Sequence, residues 1–159
     1  MPDRKTLERA AEDKAEGKSP STQAGEFVRE EMEHVREGKH GARSAKQAIA
    51  IGLSKARRAG VALEPPAVGE ASEKTRQSAK RDIAAGAHAP RPVSVRRSRA
   101  TSGALKREGS SAASPLALSR QAKAASRKRG PKARSTAARK AARTRSRRTK
   151  ANARSATRG

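Results

Sequence analysis

The feature that most limits what this chain can fold into is its shortage of large apolar side chains. Among 159 residues there is one Phe, Phe27, and there is no Trp, Tyr or Cys. Hydrophobic residues make up 33% of the chain, many of them Ala, while the formal net charge is +24. Such chains cannot bury enough apolar surface to offset the entropy lost on ordering. We therefore expect a mostly disordered chain with a small all-α element, a helix-loop-helix hairpin followed by a long basic tail.

Charge is distributed unevenly along the chain. Residues 1–64 contain 13 Lys+Arg and 11 Asp+Glu, whereas residues 65–159 contain 26 and 4. No acidic residue follows Glu108, and the remaining Arg and Lys residues are interleaved with Ala, Ser and Thr. This composition predicts that residues 109–159 form a disordered Arg/Lys/Ala-rich tail. Its Ala content favours helix, but repulsion between like charges opposes it, so we expect partial helix formation only when phosphates neutralise the tail.

The helical hairpin is predicted over residues 26–62. Apolar residues recur at helical spacing between residues 26 and 37, and the next segment, SAKQAIAIGLSKARRAG, begins with Ser44 and Gln47 at capping-box spacing and ends at Gly60. Two antiparallel helices here would bury Phe27 and its neighbours against the second helix. A core of this size rarely folds alone, so we expect the hairpin to pair with a second copy of the chain or to pack on another segment.

The flanking segments are predicted to contribute little ordered structure. Residues 1–25 are interpreted as a charged N-terminal arm with a short helix at 6–16, and residues 63–108 as a linker and basic segment. Within residues 63–108, Ser72 and the residues after it predict a helix at 72–85 that ends near Gly86. Two prolines in AHAPRPVSVRRSR favour an extended arm over residues 87–99.

Several classes of function are excluded at this stage. No nucleophile or phosphate-loop motif occurs, so no enzyme and no cofactor are predicted. Without Cys, the three histidines do not predict a metal site. The acidic residues of the first hairpin helix are interpreted as a solvated face rather than as catalytic groups. These histidines and acids are His34, His40 and His88, and Glu30, Glu31, Glu33 and Glu37.

The basic residues predict a partner that is a polyanion. Duplex DNA carries about one negative charge per 1.7 Å of axis, so a cationic chain can neutralise several phosphates without a defined groove fit. Arg outnumbers Lys in the tail, which favours forked hydrogen bonds to phosphate. The candidate nucleic-acid-binding residues are Arg43, Lys46, Lys55, Arg57, Arg58, Arg127, Lys128, Arg129, Lys132, Arg134, Arg139, Lys140, Arg143, Arg145, Arg147, Arg148, Lys150 and Arg154.

Two other interpretations of these cations remain open. Lys55, Arg57 and Arg58 lie in the last turn of the second hairpin helix, where they would also stabilise the helix dipole. The tail could serve as a solubilising extension that adheres to any acidic surface.

The segment KQAIAIGLSKARRAG, from Lys46 to Gly60, resembles a motif shared by small basic bacterial proteins, several of which are labelled DNA-binding. The resemblance covers about residues 24–62 and implies no particular activity. The tail is similar in composition to those of linker histones and bacterial histone-like proteins, although Arg exceeds Lys here. The resemblance implies a histone-like partner, DNA.

The predicted function is sequence-tolerant DNA binding through phosphates, in a histone-like or nucleoid-associated accessory role. The alternatives are an RNA- or ribosome-associated basic protein, and an interaction adaptor whose tail adds nonspecific avidity. The longest apolar run, from Ala48 to Leu53, is far below the roughly 20 residues of a membrane span, so no membrane partner is expected. With no secretory signal visible, the expected location is the cytoplasm and nucleoid.

Overall fold

The computed structural model describes residues 2–88 and 94–156, and over these residues the chain is a well-ordered set of helices. Seven α-helices and one short 3-10 helix are present there, with no β-strand. The expectation of a mostly disordered chain is therefore wrong. The helices are α1 (Arg4–Ala15), α2 (Pro20–Arg36), α3 (Ala45–Arg58), α4 (Glu73–Gly86), α5 (Val95–Lys106), η1 (Ser111–Ala113, the 3-10 helix), α6 (Pro115–Lys128) and α7 (Gly130–Ala156).

The chain divides into two compact units, Met1–Leu118 and Ser119–Gly159. In the first unit α2 contacts α1 and α3, α3 contacts α4, and η1 packs against both α2 and α3. The helical hairpin expected over residues 26–62 is thus wrong as a description of the fold. The α2–α3 pair exists, but it is one layer of a multi-helix bundle that three further elements complete.

Alanine supplies most of the core, which explains how so few large residues suffice. In the first cluster Met32 and Val35 are almost completely buried, and Ile49 and Leu118 pack against them. In the second cluster Phe27 is 1% exposed, and Val61 and Leu63 from the segment after α3 pack against the cluster. Helices lined by alanine approach closely, so a small side chain still excludes water. The core alanines are Ala42, Ala48, Ala112 and Ala113 in the first cluster, and Ala10, Ala24 and Ala56 in the second.

The segments that cover the α2–α3 pair come from the same chain. Ala112 and Ala113 of η1 close the first cluster, and Arg36 Nε donates a hydrogen bond of 3.1 Å to the carbonyl of Ala113. The sequence allowed the hairpin to pack on another segment of the chain, and this is the arrangement in the structure.

Local capping signals account for the ends of α3. The Ser44 hydroxyl accepts a hydrogen bond from the Gln47 amide at 3.2 Å, and the Gln47 side-chain oxygen accepts one from the Arg43 amide at 2.8 Å. Gly60 has φ +85°, a left-handed conformation that favours glycine after a helix. The predicted start and stop of this helix are confirmed.

Two other predicted helices begin earlier than expected, and a third lies where it was expected. The helix expected from residue 26 begins at Pro20, because proline fits the first turn, where no amide donor is needed. The helix expected at residues 6–16 begins at Arg4, with Asp3 at its N-cap. The helix expected at residues 72–85 is α4, with Ser72 as its N-cap.

The arm expected to be extended over residues 87–99 is helical from Val95 onwards, since both prolines precede α5. Residues 89–93 of that arm lie outside the described residues. The end of α5 is attached to the loop before α3, where the Gly41 amide donates to the Leu105 carbonyl at 2.9 Å. A Cβ at Gly41 would collide with the Glu108 carbonyl, so this attachment requires glycine.

The basic tail is also helical over most of its described residues, so the expectation of disorder over residues 109–156 is wrong, while residues 157–159 lie outside the described residues. Pro131 occupies the first turn of α7, where a missing amide hydrogen is tolerated. Alanine, arginine and lysine all have high helix propensity. Threonine hydroxyls add bonds to the backbone one turn back, from Thr136 to Lys132 O and from Thr144 to Lys140 O, both at 3.0 Å.

The close approach of α2 and α3 depends on Gly52. A Cβ at this position would lie 2.7 Å from Val28 Cα and 3.0 Å from the Phe27 carbonyl oxygen, so the helices would have to separate. We expect Gly52→Ala to destabilise the fold by about 1–3 kcal/mol through overpacking, less the roughly 1 kcal/mol that Ala gains over Gly in a helix. Urea unfolding followed by circular dichroism measures the difference.

The matched control is Gly25→Ala in α2, because no atom lies within 4 Å of a Cβ at Gly25. There only the propensity gain remains, and stability should rise by up to about 1 kcal/mol. If Gly52→Ala were as stable as Gly25→Ala, the close approach at Gly52 would not constrain the bundle.

Candidate nucleic-acid interface

Lys55, one of the cations assigned to phosphate binding, points into the bundle. Its Nζ lies 2.7 Å from Glu31 Oε2 and 3.1 Å from Glu30 Oε1, and its side chain is 23% exposed. Burial opposes the charge of this ammonium, but Glu31 and then Glu30 outweigh burial, so the pKa of Lys55 is raised above its ordinary value. Lys55 therefore remains charged and joins α3 to α2, which removes it from the candidate interface.

The two acids that hold Lys55 were expected on a solvated face, and this expectation is wrong. Glu30 is 3% exposed and Glu31 is 0% exposed. Glu31 lies one turn after Phe27 and one turn before Val35, both of which are fully buried. This spacing places the carboxylate in the row of α2 that faces the core. The signal was present in the sequence as a Glu between two apolar residues at i−4 and i+4.

Arg57 and Arg58 also have partners inside the chain. Arg57 is 8% exposed and donates hydrogen bonds to the carbonyls of Leu63 at 3.2 Å and Glu64 at 3.1 Å. Burial lowers the pKa of Arg57, an effect that Asp82 partly opposes. Arg58 Nε donates to Asp82 at 2.7 Å, although the Arg58 side chain is 65% exposed. Both arginines fasten α3 to the elements that follow it.

Arg43 and Lys46 also lie at the surface, as Arg58 does. Arg43 is 79% exposed and approaches Glu108 at 3.8 Å, and Lys46 is exposed on the first turn of α3. The five cations that the sequence grouped around α3 thus do not form one surface.

The tail cations, in contrast, are exposed wherever their side chains are described. They lie at the end of α6 and along α7 in the second unit. The side chains of Arg148, Lys150 and Arg154 lie outside the described residues. The exposed candidates are Arg127, Lys128, Arg129, Lys132, Arg134, Arg139, Lys140, Arg143, Arg145 and Arg147.

The helical form of α7 brings half of these cations to one side. At 3.6 residues per turn, five side chains fall within an arc of about 100°. We call this set the basic face of α7. The helix positions of residues 150 and 154 continue the same row, while Arg134 and Arg145 lie on the opposite side. The basic face consists of Lys132, Arg139, Lys140, Arg143 and Arg147.

Sequence reasoning that treated the tail as disordered could not find this face. The signal is a recurrence of Lys and Arg at intervals of three, four and seven residues, which has meaning only on a helix. None of the described helices is both long enough and apolar enough to cross a membrane. Comparisons with protein-family models, curated proteins and solved structures found no match. The resemblance over residues 24–62 therefore stays a prediction.

Proposed function

We propose that the chain binds duplex DNA in a sequence-tolerant way, with the basic face of α7 as its principal phosphate-binding surface. The observation that supports this most directly is the concentration of five exposed cations on one side of a single helix. The bundle of the first unit then serves as an ordered body that carries this helix into complexes with DNA. This is the accessory, histone-like role predicted from composition.

The charge balance of α7 favours a polyanionic partner. No Asp or Glu occurs after Glu108, so the basic face has no acid on its own helix to neutralise it. Arg139 and Arg143, and Arg143 and Arg147, are each spaced i,i+4, and like charges at this spacing destabilise a helix by about 0.2–0.5 kcal/mol per pair. Phosphates placed along the row would remove this repulsion and stabilise α7.

The dimensions of α7 suit the major groove of B-form DNA. A helix about 10–12 Å wide fits a groove about 12 Å wide, and the row from Lys132 to Arg147 extends about 22 Å at 1.5 Å per residue. The deep, narrow major groove of A-form RNA does not admit a helix in this way, so duplex DNA is favoured over duplex RNA. Aromatic stacking residues are lacking, and contacts with phosphates carry no base information, so binding should tolerate many sequences.

Two triple variants of equal charge test whether the helical face or the charge alone matters. The first replaces Lys140, Arg143 and Arg147 with Gln, and the second replaces Arg134, Arg145 and Arg148 with Gln, residue 148 occupying a helix position that also lies off the basic face. We expect the first to lower the salt dependence of duplex affinity by about 2.7 in log–log slope, since each phosphate contact contributes about 0.9. The second variant should show a much smaller decrease in this slope.

The measurement is fluorescence anisotropy with a duplex DNA and a structured RNA at several salt concentrations. Equal losses in the two variants would contradict a binding face and leave only charge-dependent attraction. Equal affinity for the duplex DNA and the RNA would leave only a polyanion binder, and tighter binding of the RNA would favour the RNA-associated alternative.

A further inference from the structure

Two histidines lie next to the buried carboxylate of Glu31. His34 follows Glu31 by three residues on α2, so the two share a helix face. Beyond the end of α2, Gly38 adopts φ +72° and turns the chain so that His40 returns towards the same place. One ring nitrogen of each histidine and one carboxylate oxygen of Glu31 all lie within 4.8 Å of one another. The two imidazole rings meet edge to face, with centroids 5.9 Å apart.

The orientation of His40 is fixed by the backbone. Its Nδ1 lies 3.1 Å from the Gly41 carbonyl oxygen, and since a carbonyl only accepts hydrogen bonds, Nδ1 carries a proton and donates. In the neutral ring, Nε2 is then an unprotonated ligand atom. This nitrogen faces Glu31 Oε1 at 3.3 Å. If the ring is neutral, two lone pairs face each other across 3.3 Å, an arrangement that a cation between them stabilises.

The Glu31 carboxylate supplies a second, independent indication. It is fully buried, Lys55 Nζ lies 2.7 Å from Oε2, and Oε1 accepts no hydrogen bond from a described residue. A buried carboxylate oxygen without a hydrogen bond is costly. Glu30 is different, because it accepts hydrogen bonds from the Asp3 amide and from Lys55, each at 3.1 Å.

The local charge leaves room for a divalent cation. Glu30 and Glu31 are opposed by one ammonium, that of Lys55, and the carboxylate of Asp3 lies 3.3 Å from His34 Nε2. With neutral histidines the group carries two more negative than positive charges. A divalent ion at Glu31 Oε1 would balance them, while Glu31 Oε2 and Glu30 Oε1 stay paired with Lys55.

We propose that Glu31, His34 and His40 form a metal site for Zn²⁺. Two imidazoles and one carboxylate are a donor set that zinc uses with a fourth ligand, and ligand atoms about 2.0–2.1 Å from a tetrahedral ion lie about 3.3 Å apart. The 3.3 Å separation of His40 Nε2 and Glu31 Oε1 agrees with that edge. The Gly41 carbonyl acts as the outer partner that holds the His40 ring. Asp3 Oδ2 lies 3.3 Å from His34 Nε2, at the edge of this cluster. The ion would join α2 to the loop before α3, independently of DNA binding.

The test uses the full chain, stripped of metal with EDTA, dialysed, and titrated with Zn²⁺ and with Co²⁺ in the absence of nucleic acid. We expect one equivalent of Zn²⁺ to bind and raise the melting temperature, and one equivalent of Co²⁺ to give the visible absorption of a low-symmetry tetrahedral site. His34→Gln and His40→Gln should each weaken Zn²⁺ binding by more than the roughly 10- to 100-fold cost of losing an outer partner.

The control is His88→Gln, because His88 is exposed and lies outside the cluster. It should bind both metals like the unaltered chain, and circular dichroism establishes that all three variants are folded. The proposal is overturned if the unaltered chain binds no stoichiometric Zn²⁺ or Co²⁺. It is also overturned if the three histidine variants bind equally well, since the ion would then be held elsewhere or His40 would pair with Glu31 as an imidazolium.

Discussion

Raising the salt concentration from 50 to 200 mM is expected to weaken binding of the chain to duplex DNA by about 10³- to 10⁵-fold. This range corresponds to six to ten phosphate contacts, each of which releases condensed counterions when it forms. The five cations of the basic face together with the exposed Arg127 and Arg129 near the end of α6 supply seven such contacts. Affinity measured against salt gives a log–log line whose slope counts the contacts.

A truncated chain that ends at Leu118 is the control for this prediction, since residues 119–159 contain 16 Lys+Arg and no acid. A deletion beginning at Gly109 would be unsuitable because it removes Ala112, Ala113 and Leu118 from the core of the first unit. The truncated chain should lose most of its affinity and most of its salt dependence. Binding by residues 1–118 as tight as that of the full chain at 150 mM salt would place the interface in the bundle instead.

The second large effect is expected from Lys55→Met, which we predict to destabilise the first unit by about 3–5 kcal/mol. The substitution leaves the carboxylates of Glu30 and Glu31 buried without their ammonium, and an uncompensated buried charge has a cost of this size. Urea unfolding in buffer containing EDTA measures the loss, because a bound metal ion would otherwise replace part of the missing charge.

Lys46→Met is the matched control, on the same helix and with the same change of charge. Lys46 is exposed, so its replacement should alter stability by no more than about 0.5 kcal/mol. Similar stabilities for the two variants would show that the contact of Lys55 with Glu30 and Glu31 does not hold α2 and α3 together.

The features predicted from sequence are those that neighbouring residues determine. Ser44, Gln47 and Gly60 form their cap and stop within a few residues, so the ends of α3 follow from local chemistry. The burial of Glu31 and Lys55 depends on which helix faces α2, information that a composition or a charge count does not contain. The lysine looked like part of a basic cluster because its partners are 24 and 25 residues away.

The extent of order was underestimated for a different reason. Low hydrophobicity predicts disorder only where a core needs large side chains. In this chain Ala24, Ala48 and Ala56 are completely buried between helices that approach closely. The tail was judged by its charge repulsion alone. The high helix propensity of its alanines offsets that repulsion, and only the resulting helix aligns the basic face.

The position of η1 has a consequence for how the first unit is made during synthesis. Ala42 and Ala112 belong to one cluster, but 70 residues separate them, so the ribosome needs roughly 4–14 s at 5–20 residues per second to deliver the second after the first. During this interval Met32 and Val35 have neighbours on one side only. The bundle therefore becomes complete only as the ribosome reaches the most basic part of the chain. The nascent chain exposes an apolar side first, and the residues that attract polyanions most strongly are synthesised afterwards.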